Sequence, residues 1–171
     1  MTGSGNSPPL GTDDLFYLDE CLPYQIADAL RLVGYPITSW KLLFGEEGKK
    51  DEHFIPELSK QRLVWITKDD ESRLEHQEEI EKYHISVVWV RGIQRSKKQK
   101  DGPTKPRMKD VHRMLVNKLD DIAAEVNKAK GPRYFILYLK VMQTKLLTFT
   151  TLKDVTGQLQ NQKRRFSPPS A

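Results

Sequence analysis

At 171 residues, with 37% hydrophobic content, three Trp, six Tyr and six Phe, the chain can bury one sizeable core and little more. The single cysteine, Cys21, excludes an internal disulfide framework, and no apolar run reaches the roughly 18–20 residues of a membrane span. The net charge of +5 conceals an asymmetry: residues 1–82 hold 9 Lys and Arg against 17 Asp and Glu, and residues 83–171 hold 19 against 6. An acidic half joined to a basic half suits divalent cations on one side and a polyanion on the other, although solvated surface charge gives the same balance.

The opening MTGSGNSPPLGTDD lacks the basic and apolar regions of a secretory signal, so a soluble, cytoplasmic chain without membrane attachment is expected. Residues 1–14 are rich in Gly, Ser and Pro and are expected to be a disordered tail. LFYLD at 15–19 is a short apolar run of strand length. Leu22, Ile26, Ala29, Leu30 and Val33 then recur at helical spacing until Gly34 ends the pattern. PITSW at 36–40 reads as a strand and GEEGKK at 45–50 as a loop. DEHFIPELSK at 51–60 reads as a helix with Phe54, Ile55 and Leu58 on one face, its regular part starting near Pro56 because a first turn needs no donated N–H.

RLVWIT at 62–67 reads as a fully buried strand, residues 70–83 as an exposed, charge-laced helix, and ISVVWV at 85–90 as another buried strand. Residues 91–107, RGIQRSKKQKDGPTKPR, read as a basic loop containing one acid. Met108, Val111, Leu115, Leu119, Ile122 and Val126 share a helical face over 108–128. YFILYLKV at 134–141 and KLLTFTTL at 145–152 read as an antiparallel hairpin around the turn MQT, and residues 153–171 as a disordered tail. The repeated order of strand and helix predicts an α/β fold with a mainly parallel sheet and right-handed crossovers, folded over residues 15–152.

In such a sheet, ligands bind outside the carboxyl ends of the strands. Asp19 and Glu20 follow the first apolar strand, Asp69 follows the third, and Asp51 and Glu52 open the helix between them. Carboxylates gathered on one rim repel one another unless protonated or bound to cations, and hard oxygen ligands select Mg²⁺ or Mn²⁺. Helix capping explains any one of these acids as well, because Asp is a favoured N-cap, and capping and coordination are compatible. The four histidines lack metal-ligand spacing, no Walker loop is present, and Cys21 beside two acids reads as a packing residue rather than a nucleophile. The loop 91–107 is the best nucleic-acid feature, since Lys and Arg neutralise phosphates without reading sequence.

FYLDECL at 16–22, ALRLVGY at 29–35, DEHFIPEL at 51–58, LVWITKDDESR at 63–73, ISVVWV at 85–90 and GPRYFILYL at 131–139 together resemble the PIN-like domains, in particular the branch of VapC-like toxin ribonucleases. The resemblance implies a three-layer α/β/α domain that cleaves RNA with Mg²⁺ or Mn²⁺. By position it implies Asp19, Asp51 and Asp69 as metal ligands, with Glu20 a further catalytic acid. Glu52 is an alternative to Asp51, and Thr67 orients Asp69 through a hydroxyl hydrogen bond. Lys68, Arg73, Arg91, Arg95, Lys97, Lys98 and Lys100 would guide the RNA backbone. Toxin relatives imply a cognate antitoxin protein and a homodimer. Two other readings stand beside the endoribonuclease. One is a non-catalytic PIN-like module that binds RNA or protein. The other, ranked lower, is a phosphoacceptor receiver domain, which expects a lone Asp after its third strand where this chain has Asp69, Asp70 and Glu71.

Overall fold

The computed structural model describes residues 14–45, 51–69, 75–94, 106–141 and 148–158, with the side chains of residues 51–53 and Gln94 excepted. The strands are β1 (Phe16–Leu18), β2 (Ile37–Ser39), β3 (Val64–Thr67), β4 (Val87–Gln94), β5 (Tyr134–Val141) and β6 (Thr148–Asp154). The helices among the described residues are α1 (Tyr24–Leu32), α2 (Trp40–Phe44), α3 (Asp51–Gln61), α4 (Gln77–Lys82) and α5 (Met108–Lys128). The strands form one six-stranded sheet in the order β2-β1-β3-β4-β5-β6, parallel throughout except for the antiparallel β5–β6 pair. This is the predicted α/β class.

Both faces of the sheet are buried across β1, β3 and most of β4 and β5, which is why these strands read as continuous apolar runs, while the edge strand β6 is partly exposed. Phe16, Leu18, Val64, Ile66, Val88, Val90, Phe135 and Leu137 share one face with Ile26 and Leu30 of α1 and with Val111, Leu115, Leu119 and Ile122 of α5. Tyr17, Trp65, Val87, Trp89, Tyr134 and Ile136 point the other way, onto Phe54, Ile55 and Leu58 of α3 and Ile80 of α4. The strand period of two delivers alternate residues to alternate layers, giving three layers from one sheet.

Several boundaries differ from the sequence reading. Only 37–39 of the predicted strand 36–40 is extended, because the Ser39 hydroxyl accepts from the Leu42 N–H and starts α2, a helix the sequence reading did not anticipate. α3 is helical from Asp51, so Pro56 lies inside it rather than in its first turn. In α1 the buried face takes Ala27 rather than Ala29, and Val33 is exposed; in α5, Met114 is buried while Met108 is partly exposed. The helix predicted over 70–83 is described only as α4, residues 70–74 lying outside the described part.

β4 runs on to Gln94 through a register shift between Val90 and Ile93, so Arg91 belongs to a strand and not to a loop. The last strand spans Thr148–Asp154 instead of 145–152, and Val155, assigned to the tail by sequence, is buried and donates its N–H to the Tyr134 carbonyl at 2.8 Å. Asp14, also assigned to a tail, accepts from Arg31 at 2.7 and 2.8 Å. The turn at 142–144, residues 1–13 and 159–171 of the two tails and residues 95–105 of the basic loop lie outside the described residues.

Candidate active site

β1 and β3 are parallel neighbours with Leu18 opposite Ile66, and the pairing continues one residue further because the Asp19 N–H donates to the Ile66 carbonyl at 3.0 Å. Asp19 and Thr67 therefore arrive side by side at the carboxyl rim. Both follow residues of the α3 face, Tyr17 and Trp65, by one strand period. The Thr67 hydroxyl donates to Asp19 Oδ2 at 2.8 Å, and the Cys21 thiol donates to the same oxygen at 3.1 Å. Asp19 Oδ1 accepts the Glu20 N–H at 2.8 Å. Asp19 is 7% exposed, and none of these partners is a cation. Burial raises its pKa above the ordinary carboxylate value, partly offset by the bonds from Thr67, Cys21 and the Glu20 N–H; the Glu20 charge adds to the rise.

The turn after β3 is tied to the same group. The Asp69 N–H donates to the Thr67 hydroxyl oxygen at 3.1 Å, and the Lys68 N–H donates to Cys21 Sγ at 3.3 Å. Glu20, Lys68 and Asp69 are exposed on the rim. Thr67 thus reaches Asp69 through the backbone, while its own proton goes to Asp19. Cys21 is half-buried in this network, and its thiol is pushed up to about 12, first by burial and then by the Asp19 charge. Cys21 packs against the α1–α5 side of the core, as expected from the sequence, and its bonds to Asp19 and Lys68 come in addition; its position two residues after Asp19 is the signal for them.

α3 brings its first turn towards this rim. Its last residue, Gln61, leads into the start of β3, so the helix runs against the strands. Phe54 stacks on Tyr17 at 5.9 Å and meets the Trp65 ring edge-on at 5.2 Å. The backbone of Asp51 and Glu52 lies about one turn nearer the rim than Phe54. The side chains of both lie outside the described residues, and so do Arg73, Arg95, Lys97, Lys98 and Lys100. Arg91 is half-buried on β4, two residues past Trp89, which stands opposite Thr67. Among the described residues, no three His, Cys, Asp or Glu side chains are gathered as a metal site. No helix among them is long and apolar enough to cross a membrane.

The segment carrying this geometry, residues 15–92, matches the family model described as PIN like domain. It runs from the start of β1 into β4 and includes Asp19, Glu20, Asp51, Glu52, Thr67 and Asp69. No curated protein and no solved structure matches the chain.

Proposed function

We propose, from the premise that residues 15–92 match a PIN-like domain, that the chain is a metal-dependent endoribonuclease working at the β1–β3 rim. PIN-like domains often have nuclease activity and often bind metals. The observation that carries the reading is the link from Asp19 through the Thr67 hydroxyl to the Asp69 backbone, which ties two acids from separate strands to one rim.

The described donors fit a divalent cation in chemistry. They are carboxylate oxygens, and Asp19 is buried without a cationic partner among the described residues, so its charge is poorly compensated. Asp19 and Asp69 would hold Mg²⁺ or Mn²⁺, with Asp51, or Glu52 in its place, supplied from α3. Bound there, the ion would supply charge stabilisation at a phosphodiester and an activated water. Glu20, exposed and next in sequence to Asp19, would act as a further ligand or take a proton from the attacking water. Thr67 and Cys21 hold Asp19, and Lys68 and Arg91 offer cationic groups to the RNA backbone, joined by Arg73, Arg95, Lys97, Lys98 and Lys100.

Within this reading the chain acts as the toxin of a toxin–antitoxin pair, blocked by a cognate antitoxin protein and working as a homodimer. Growth arrest on expression, relieved by the product of a neighbouring small gene, tests that role. The nuclease reading itself is tested by Asp69→Asn, which should abolish Mg²⁺-dependent RNA cleavage while leaving the thermal midpoint unchanged. Cleavage at the unaltered rate would refute it.

A second reading is a non-catalytic module that binds RNA or protein through the same fold. The family model matched over residues 15–92 names a PIN-like domain and no activity, which such a module fits as well. Calorimetric titration with Mn²⁺ separates the two, since this module would bind RNA in a salt-dependent way without taking up the metal.

A further inference from the structure

We infer that Cys21 is a positioning residue: its thiol and the Thr67 hydroxyl form a two-sided hold on Oδ2 of Asp19. The inference rests on the reading of Asp19 as a metal ligand. The two side chains make the same pair of bonds, Thr67 from the end of β3 and Cys21 from the turn that follows β1. Thr67 donates to Asp19 Oδ2 at 2.8 Å and accepts the Asp69 N–H at 3.1 Å. Cys21 donates to the same oxygen at 3.1 Å and accepts the Lys68 N–H at 3.3 Å. The sulfur and the hydroxyl oxygen lie 3.3 Å apart, so the ring is closed.

Two consequences follow from this geometry. Among the described residues, Oδ2 carries two side-chain donors, whereas Oδ1 takes the Glu20 N–H alone and keeps more of its accepting capacity for a cation. The Lys68–Asp69 turn is pinned by consecutive N–H groups to side chains that both end on Asp19, so the carboxylate and the turn bearing Asp69 are held as one unit. A thiol placed only for packing needs none of these contacts. Groups that orient metal ligands in this way affect metal affinity or activity by roughly 10–100-fold when removed.

The test compares the full chain with Cys21→Ala and Cys21→Ser in three measurements: Mn²⁺ affinity by calorimetry, cleavage kinetics on an RNA oligonucleotide, and amide hydrogen exchange at Lys68 and Asp69. Cys21→Ala should weaken Mn²⁺ binding by roughly 10–100-fold. It should also lower kcat with KM for RNA unchanged, and speed exchange at Lys68. Cys21→Ser, which keeps a donor and an acceptor, should restore most of each. Unchanged Mn²⁺ affinity and amide protection in Cys21→Ala would overturn the inference, as would a serine variant as impaired as the alanine one. If the unaltered chain neither binds Mn²⁺ nor cleaves RNA, the nuclease reading falls separately. Exchange at Lys68 then decides the hold alone, unchanged protection in Cys21→Ala overturning it.

Discussion

The Thr67 hydroxyl donates to Asp19 Oδ2 at 2.8 Å across 48 residues of sequence, joining the ends of two parallel strands inside the protein. Neither group has comparable access to water, since Asp19 is buried and Thr67 is fully buried. Removing the donor leaves a buried carboxylate short of a partner, which costs about 1–3 kcal/mol. Thr67→Val should therefore lower unfolding free energy in urea by about that amount, and Thr67→Ser should recover most of it.

Cys21 should be chemically quiet. With its thiol pushed up to about 12, thiolate is scarce at neutral pH, and thiolate is the reactive form. Alkylation by iodoacetamide at pH 8 should run at least roughly a hundredfold slower in the native chain than in urea-unfolded chain, where the thiol returns to its ordinary range near 8.5. Equal rates in the two states would show that the thiol is neither buried nor tied to Asp19.

Arg62 follows α3 with φ of 57°, a left-handed conformation that side chains other than glycine or asparagine rarely adopt. The Leu63 N–H reaches back to the Leu58 carbonyl at 2.9 Å, closing the helix in the manner that favours glycine at this position. Arg62→Gly should raise stability by about 1 kcal/mol, read as an upward shift of the thermal midpoint.

Tyr134 gives a pH dependence with a definite sign. Its phenol oxygen is buried without a hydrogen-bond partner among the described residues, and its pKa is pushed up to about 12, first by burial and then by the Glu81 charge. The unfolded chain loses the phenolic proton near pH 10, before the native chain does. Native stability should fall as pH rises from about 10 to 12, by a few kcal/mol at most. Tyr134→Phe should remove that part of the alkaline loss and be nearly neutral or stabilising at pH 7. Denaturant titrations at pH 7 and at about pH 11 check both statements.

The strands and the long helix were legible because burial on both faces writes apolar runs and a 3.6-residue stripe directly into the sequence. β5 needed no other information, whereas β3 starts at Val64 rather than at Arg62, because Arg62 and Leu63 close α3. α2 was missed because Ser39 serves both as the end of β2 and as the cap of the next helix, and five residues carry too little periodicity to announce it. β4 was cut short because Arg91 and Gly92 look like loop residues, while their extended conformation comes from pairing on past a bulge beside β5. At the site, spacing identified Asp19 and Asp69 as strand-end acids. It could not show that the Thr67 proton goes to Asp19 or that Cys21 joins them, because those bonds depend on strands brought together in three dimensions.

The family match stops at residue 92, inside β4, yet the layer covering one side of that strand comes from Val111, Met114, Leu115 and Leu119 of α5, and its next neighbour is β5. A fragment ending there would expose β4 as an open template for pairing and take from the face of Leu18, Ile66 and Val88 the cover that α5 adds to that of α1. The acids of the rim all lie in the first 69 residues, but their alignment is on loan from the chain beyond 106.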